Sequence, residues 1–234
     1  MSWAEDAKKR AAQKAVEEVR DDYVVGLGSG STAAYVIEAL GAVLEKGLVK
    51  GLRGVPTSHQ AASIARKAGI LLGELSDYPV LDLSIDGADQ VDERLDLIKG
   101  GGGALLREKI VAAASKRYVI VIDETKLSER LGVGRSLPVE VLPFASSFVL
   151  KRLVERARVA NVREGAGKVG PVVTENGNFI VDADFGSIAD AQGLEAWLKS
   201  IPGVIETGLF IGLADVVYVG RRQGVEALHR KGKG

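Results

Sequence analysis

The sequence predicts an α/β protein, an open and mostly parallel Rossmann-like sheet with helices on both faces, carrying an inserted, smaller ferredoxin-like α+β domain. Three observations lead there. Short β-branched runs alternate with stretches of helical periodicity as far as about Gly132, at spacings that suit parallel βαβ units. From Pro138 the order becomes βαββαβ, the ferredoxin-like arrangement. Residues 214–220 are then a fully apolar run of the kind a central sheet uses, so the chain is expected to return to its first domain. On this reading residues 1–132 and 207–234 form the α/β domain and residues 133–206 the insert.

Residues 4–20 place Ala7, Ala11, Ala12, Ala15, Val16 and Val19 at helical spacing with charges between them, which argues one amphipathic helix ended by Asp21 and Asp22. Residues 23–27 are a β-branched run feeding GLGSGST, and residues 33–44 resume helical periodicity. Val55 and Pro56 end a strand, Ser58 caps a helix that runs to Lys67, and Gly69 stops it. Residues 81–85 and 95–98 read as strands, 104–115 as a helix, and 118–122 as a buried strand closed by Asp123 and Glu124. In the insert, 138–142, 159–162, 178–181 and 204–206 read as strands and 145–156 and 187–200 as helices. GAGKVGPV and ENGN mark the loop and turn between its middle strands. The closing HRKGKG reads as a basic, glycine-rich tail that frays.

Composition narrows the function. A chain of 234 residues can bury a substantial core. Lys plus Arg and Asp plus Glu are equal at 31 each, so no bulk field attracts nucleic acid or an anionic membrane. The absence of cysteine removes disulfides, thiolate nucleophiles and cysteine zinc sites together. The start, MSWAEDAKKRAAQKAVEEV, lacks the basic end and apolar run of a secretory signal, and no apolar run reaches membrane-spanning length. A cytoplasmic protein with a small-molecule partner, and neither nucleic acid nor membrane, is the expectation.

The chemistry concentrates in residues 81–110, LDLSIDGADQVDERLDLIKGGGGALLREKI. One apolar run ends in Asp86, Gly87, Ala88 and Asp89; the next ends in Lys99, four glycines and then Arg107, Glu108 and Lys109. Four consecutive glycines weaken a scaffold unless something lies against the bare backbone, so Gly100, Gly101 and Gly102 are read as the floor of a ligand site. Carboxylates, an ammonium and bare amides are the groups a sugar phosphate needs. Taken singly, Asp86 with Gly87 is a turn dipeptide and Glu108 a solvated face. Their place after strand-like runs, at the edge where open parallel sheets bind ligands, sets them apart. Asp89, Asp92, Glu93 and Asp96 lack the order of a calcium loop and read as a turn or solvated face, so no metal site is predicted. His59 and His229 read as a helix start and a tail residue.

GLGSGST offers the amides and hydroxyls of Ser29, Gly30, Ser31 and Thr32 at a helix N-terminus, a phosphate site by geometry and dipole. An ordinary capped glycine turn explains the same residues. The stretch is neither a dinucleotide fingerprint, since its third glycine falls one position early, nor a Walker loop, since no lysine precedes Ser31.

GLGSGSTA, SIDGADQVD, KGGGGALLREK, DETK at residues 123–126, LPVEV at 137–141 and GLFIGLADVVYVG resemble, in order and spacing, the type A ribose-5-phosphate isomerases. The resemblance implies interconversion of D-ribose 5-phosphate and D-ribulose 5-phosphate through a cis-enediol in the pentose phosphate pathway, with no cofactor. It puts the base on Glu108, the hydroxyl-holding and ring-opening carboxylates on Asp86 and Asp89, and the oxyanion-stabilising lysine on Lys99. Ligand-binding segments fall on Ser29, Gly30, Ser31 and Thr32, on Gly87 and Ala88, on Gly100, Gly101 and Gly102, and on Lys126; Lys8 sits near a further family lysine. Ser29 stands where threonine is commoner, keeping the hydroxyl, and Gln90 where glutamate is commoner, expected to matter little. A homodimer or homotetramer is also implied. Two other readings are a non-enzymatic sugar-phosphate sensor, which lacks room here for a DNA-reading module, and an acyl-coenzyme A transferase, which needs a nucleophilic glutamate and space for a large cofactor.

Overall fold

The computed structural model describes residues 2–167 and 169–230. Chain order is α1 (Trp3–Val16), β1 (Val24–Leu27), α2 (Gly30–Glu45), β2 (Arg53–Pro56), α3 (His59–Lys67), β3 (Leu71–Leu72), β4 (Leu83–Gly87), β5 (Gln90–Val91), β6 (Leu97–Ile98), α4 (Leu105–Ala113) and β7 (Tyr118–Asp123). It continues with β8 (Leu137–Val141), α5 (Ser146–Leu153), β9 (Val159–Val162), β10 (Phe179–Asp184), α6 (Ala191–Lys199), β11 (Val204–Thr207), β12 (Leu209–Phe210), β13 (Val216–Gly220) and β14 (Val225–His229). Two units divide it: Met1–Ala88, Arg107–Lys126 and Gly212–Gly234 make the first, Asp89–Leu106 and Leu127–Ile211 the second.

The first unit holds a seven-stranded sheet, β14-β13-β7-β4-β1-β2-β3, parallel except for the β13–β14 pair. Strand side chains alternate between faces, and the sequence uses both. Val25, Leu27, Ile85, Val119 and Val121 pack with Ala11, Ala12 and Ala15 of α1, Val36, Ile37 and Leu40 of α2, and Ala61 and Ala65 of α3. The small residues of α1 let it lie close on the sheet, and a Ser2–Glu5 capping box satisfies its N-terminus. Gly26 and Ser84 point to the other face, where a Cβ on Gly26 would overlap Val111 of α4. Helices therefore cover both faces, as the alternating pattern predicted.

The second unit contains an antiparallel sheet, β11-β8-β10-β9, in the predicted βαββαβ order. Leu137, Val139, Val141, Val181 and Ala183 pack with Val149 and Leu153 of α5 and Leu194 and Leu198 of α6. On β8 the alternate residue Glu140 is buried, and its Oε1 accepts from Thr174 Oγ1 (2.9 Å), Asn176 Nδ2 (3.2 Å) and Asn178 Nδ2 (2.9 Å), so the ENGN turn is tied to a carboxylate. A separate sheet, β12-β6-β5, consists of two-residue strands.

Three features differ from the sequence reading. Strands β3, β5, β12 and β14 were not anticipated; the first three are too short to carry a period-2 pattern. His229 ends β14 and is no tail residue, while Arg230 donates through its amide to Asp215 O (3.0 Å) and through Nε to Ala214 O (2.8 Å). Of the expected frayed tail, residues 231–234 lie outside those described. Gln90 matters more than expected: its Oε1 accepts from Gly132 N (2.7 Å) and its Nε2 donates to Val133 O (3.0 Å), two opposite roles that one amide fills and a carboxylate cannot. Among the described residues, no helix is long and apolar enough to cross a membrane.

Beyond the end of α1, Glu18 ties the helix to two strands. It accepts from Arg117 Nε, from Arg117 Nη2 (3.2 Å) and from the Tyr218 hydroxyl (2.7 Å). Burial raises the Glu18 carboxyl, but the hydrogen bonds of Arg117 and Tyr218 and the Arg117 charge prevail and hold it below the ordinary glutamate value. A depressed folded-state pKa contributes stability above the unfolded value, near 4.3, that is lost as pH falls through the folded value. Glu18→Gln is therefore expected to cost about 1–2 kcal/mol at pH 7, or a Tm lower by roughly 2–6 °C, allowing for the partial exposure of Arg117. The difference from the unaltered protein should close below about pH 4 in calorimetric scans; a difference constant from pH 7 to pH 3 would contradict the assignment.

Candidate active site

In the first unit, register decides what meets at the carboxyl end of the sheet. Leu27 pairs with Ile85, so Gly28 lies beside Asp86, where any Cβ would overlap the Asp86 carboxylate. Asp86 is 1% exposed, and its Oδ1 accepts from Gly87 N (2.7 Å) and Ser29 N (3.3 Å). Gly87 in turn passes Thr32, whose Cβ would sit 3.3 Å from an added Cβ. The two glycines leave the room that Asp86 and Thr32 occupy.

The GLGSGST turn is only partly the hydroxyl cluster the sequence suggested. Ser29 Oγ is 2.7 Å from Thr57 Oγ1 and donates to Ser58 Oγ (2.6 Å), while Gly30 N donates to Gln60 Oε1 (3.0 Å). Ser31, exposed, and Thr32, half-buried, stand in the first turn of α2, which has no acidic side chain to offset its dipole. An anionic ligand is the complement such an end lacks.

Glu108 is 5% exposed in the first turn of α4. Tyr118, at the start of β7, has its phenol raised well above the ordinary range by burial first, and then by the charges of Asp86 and Glu108. The charges of both carboxylates therefore act on one buried phenol. At the carboxyl end of β7, Asp123 accepts from Thr125 N (3.0 Å) and Thr125 Oγ1, with Lys8 Nζ at 3.5 Å. Burial raises the Asp123 carboxyl, yet the Thr125 hydrogen bonds and the charges of Lys8 and Lys126 leave it below the usual aspartate value. Lys8 thus pairs with Asp123, and the charge of Lys126, three residues on, acts on the same carboxylate. From sequence Tyr118 reads only as a strand residue and nothing local distinguishes it, while Asp123 closes the strand and opens the DETK motif without a role of its own.

In the second unit, Lys99 follows β6 and is 3% exposed. Its amide donates to Gly208 O (2.9 Å) and its ammonium lies 5.5 Å from the Phe210 ring centroid, within cation–π range. Asp89 accepts through Oδ2 from Gly101 N (2.7 Å). The glycine run closes on itself through Gly103 N to Gly100 O (3.0 Å). Packing accounts for more of this run than expected. A Cβ added at Gly100 (φ +103°) would lie 2.6 Å from Leu105, one at Gly101 2.8 Å from Asp89, and one at Gly103 (φ +80°) 3.2 Å from Ile180; of the four, only Gly102 has open space there. Asp92 Oδ1 accepts from the amides of Arg94 and Asp96 (2.9 Å each), making a turn, while Asp96 is buried instead of solvated. Among the described residues, no group of three His, Cys, Asp or Glu side chains could hold a metal ion.

Comparison with known proteins gives one consistent result. The family described as ribose 5-phosphate isomerase A (phosphoriboisomerase A) matches residues 53–224. The chain is 48% identical over 222 residues to ribose-5-phosphate isomerase A of Methanothermobacter thermautotrophicus, covering 94% of this chain and 96% of that protein. It is 44% identical over 226 residues to that of Thermococcus kodakarensis, covering 97% and 99%. Among solved structures, a D-ribose-5-phosphate isomerase in complex with phospho-erythronic acid superposes with a TM-score of 0.96 at 43% identity, covering 98% of this chain and all of that one. Ribose 5-phosphate isomerase A of Methanocaldococcus jannaschii gives 0.92 at 42% identity, covering 96% and 99%.

The glycines provide a direct check on the geometry. Gly28→Ala should destabilise by about 1–3 kcal/mol, because its methyl group must displace the buried Asp86. Gly102→Ala, with open space and no positive φ, should stay within about 0.5 kcal/mol of the unaltered protein. Denaturant melts of the two variants measure this, and equal stabilities would contradict the close approach at Asp86.

Proposed function

The chain belongs to the ribose 5-phosphate isomerase A family, and from that premise we propose that it interconverts D-ribose 5-phosphate and D-ribulose 5-phosphate, an aldose–ketose isomerisation of the pentose phosphate pathway. The relatives do not favour the sensor reading. The observation that supports the mechanism is the pair of buried carboxylates in the first unit, Asp86 toward the carboxyl end of β4 and Glu108 in the first turn of α4.

In the open-chain aldose, the Glu108 carboxylate takes the proton from C2. The C2–H electrons form the C1=C2 bond, and the carbonyl oxygen at C1 becomes the developing oxyanion that the Lys99 ammonium stabilises. The C2 hydroxyl proton passes to the C1 oxygen, the O2 electrons form the C2 carbonyl, and the C1=C2 electrons take the proton back from Glu108 at C1, which completes the isomerisation. Asp86, held through Oδ1 by two amides, is assigned to the sugar hydroxyls and ring opening together with Asp89. Ser31 and Thr32 at the uncompensated start of α2, the backbone at Ser29, Gly30, Gly87, Ala88, Gly100, Gly101 and Gly102, and Lys126 are assigned to substrate binding. The phospho-erythronic acid bound by the solved relative supports a ligand of this kind, since its carboxylate carries the charge of an enediolate next to a phosphorylated chain. The scheme calls on no metal or organic cofactor. A cytoplasmic location and a homodimer or homotetramer belong to the same proposal.

Glu108→Gln keeps the shape and loses the base, so kcat should fall by about 10²- to 10⁴-fold with KM nearly unchanged. Asp86→Asn should lose binding or ring opening as well. Turnover by Glu108→Gln within a few-fold of the native rate, measured as ketose formed from ribose 5-phosphate, would rule out Glu108 as the base.

A further inference from the structure

Four glycines in a row have no side chains to anchor them, and glycine gives up more backbone freedom on ordering than any other residue. Something outside the run has to hold it. Arg163, just beyond β9, donates through Nη1 to both Gly100 O (2.9 Å) and Gly101 O (3.0 Å). Its Nε and Nη2 donate to Asp182 Oδ2 (2.7 Å) and Oδ1 (2.5 Å) on β10. That bidentate pair fixes the guanidinium plane, so the remaining nitrogen points at the two carbonyls as one rigid fork. The backbone beneath is also held: Arg163 N donates to Ile180 O (2.8 Å), and Arg163 O accepts from Val172 N (2.8 Å).

The consequence follows from peptide planarity. In a trans peptide the C=O and N–H point in opposite directions. Drawing the carbonyls of Gly100 and Gly101 toward Arg163 sends the N–H groups of Gly101 and Gly102 to the opposite side. The Gly101 amide there meets Asp89 Oδ2 at 2.7 Å, and Gly102 is the one glycine of the run with open space around it. We propose that Arg163, locked by Asp182, is a positioning residue that turns the amide edge of the glycine run toward Asp89 and toward an anionic oxygen of the bound sugar phosphate. The proposal rests on the isomerase reading for the identity of the ligand, but not for the ordering of the loop. Neither Arg163 nor Asp182 touches the reacting atoms in this scheme. Because a fixed amide edge holds an anionic oxygen equally before and during the reaction, its loss should weaken binding more than turnover.

The test uses the full chain and two separate readouts. In the ligand-free protein, amide hydrogen exchange at Gly101 and Gly103, followed by NMR, should accelerate about tenfold or more in Arg163→Met, with protection in β8 and β10 unchanged. In steady-state assays, KM for ribose 5-phosphate should rise about tenfold with kcat within about threefold. Arg163→Lys should recover little, since an ammonium cannot make the fork, and Asp182→Asn should show a smaller change of the same kind. These two variants carry the test if Arg163→Met does not fold. Unchanged glycine exchange and unchanged KM in folded variants would overturn the proposal, as would a loss confined to kcat. If the unaltered protein fails to isomerise ribose 5-phosphate, the functional reading falls alone, because the exchange measurement uses no substrate.

Discussion

A carboxylate buried at the end of a central strand has to be met by hydrogen-bond donors, and for Asp86 the donors are the amides of Ser29 and Gly87. Much of the first unit's sheet edge follows from that requirement. The amide of Ser29 can reach Asp86 only if Gly28 has no side chain, and with Ser29 held there its hydroxyl turns to Thr57 and Ser58. Ser29 is also the N-cap of α2, so the same contact sets where that helix starts and hence where Ser31 and Thr32 stand. Glu108 is a second buried carboxylate of the same unit, and its charge and that of Asp86 both act on the buried Tyr118 phenol. Such an arrangement stabilises nothing by itself and is the kind of local cost that function explains.

The second unit meets a different difficulty with different means. Its buried Lys99 sits against an aromatic ring, and its glycine run is held through backbone groups: one amide on Asp89, one internal turn bond, and two carbonyls on Arg163. A run without side chains can be made rigid only through its peptide groups, and all three kinds of contact act there. Lys8, Asp123 and Thr125 form a comparable local cluster in the first unit, with one lysine and two Thr125 donors on one buried carboxylate.

Most of the fold could be read from periodicity because its long elements obey it. The alanine stripe of α1, the Ser58 cap of α3 and the apolar runs at β4, β7 and β13 each say what they become. The two-residue strands are beyond such reading, since they exist only through their partners. β14 was hidden by a basic ending that looked like a tail. Among the candidate residues, Asp86 and Glu108 in the first unit and Lys99 in the second stood out by order along the chain. What remained unreadable was pairwise: that Ser29 would turn to Thr57, that the charges of Asp86 and Glu108 would both act on Tyr118, and that Arg163, 63 and 62 residues from Gly100 and Gly101, would hold their carbonyls. A charged residue next to a strand carries no local mark of a distant partner. The four glycines answer to packing as well, since a Cβ at three of them would meet a neighbour and only Gly102 has open space.

Proton transfer by a carboxylate through a cis-enediol is the central claim, and turnover of ribose 5-phosphate in deuterium oxide tests it most directly. A carboxylic acid formed at Glu108 can exchange its proton before returning it, so the ribulose 5-phosphate produced should carry solvent deuterium at C1, at least in part. Ketose formed with no solvent deuterium at C1, and with a label placed at C2 of the substrate carried over in full, would contradict the account.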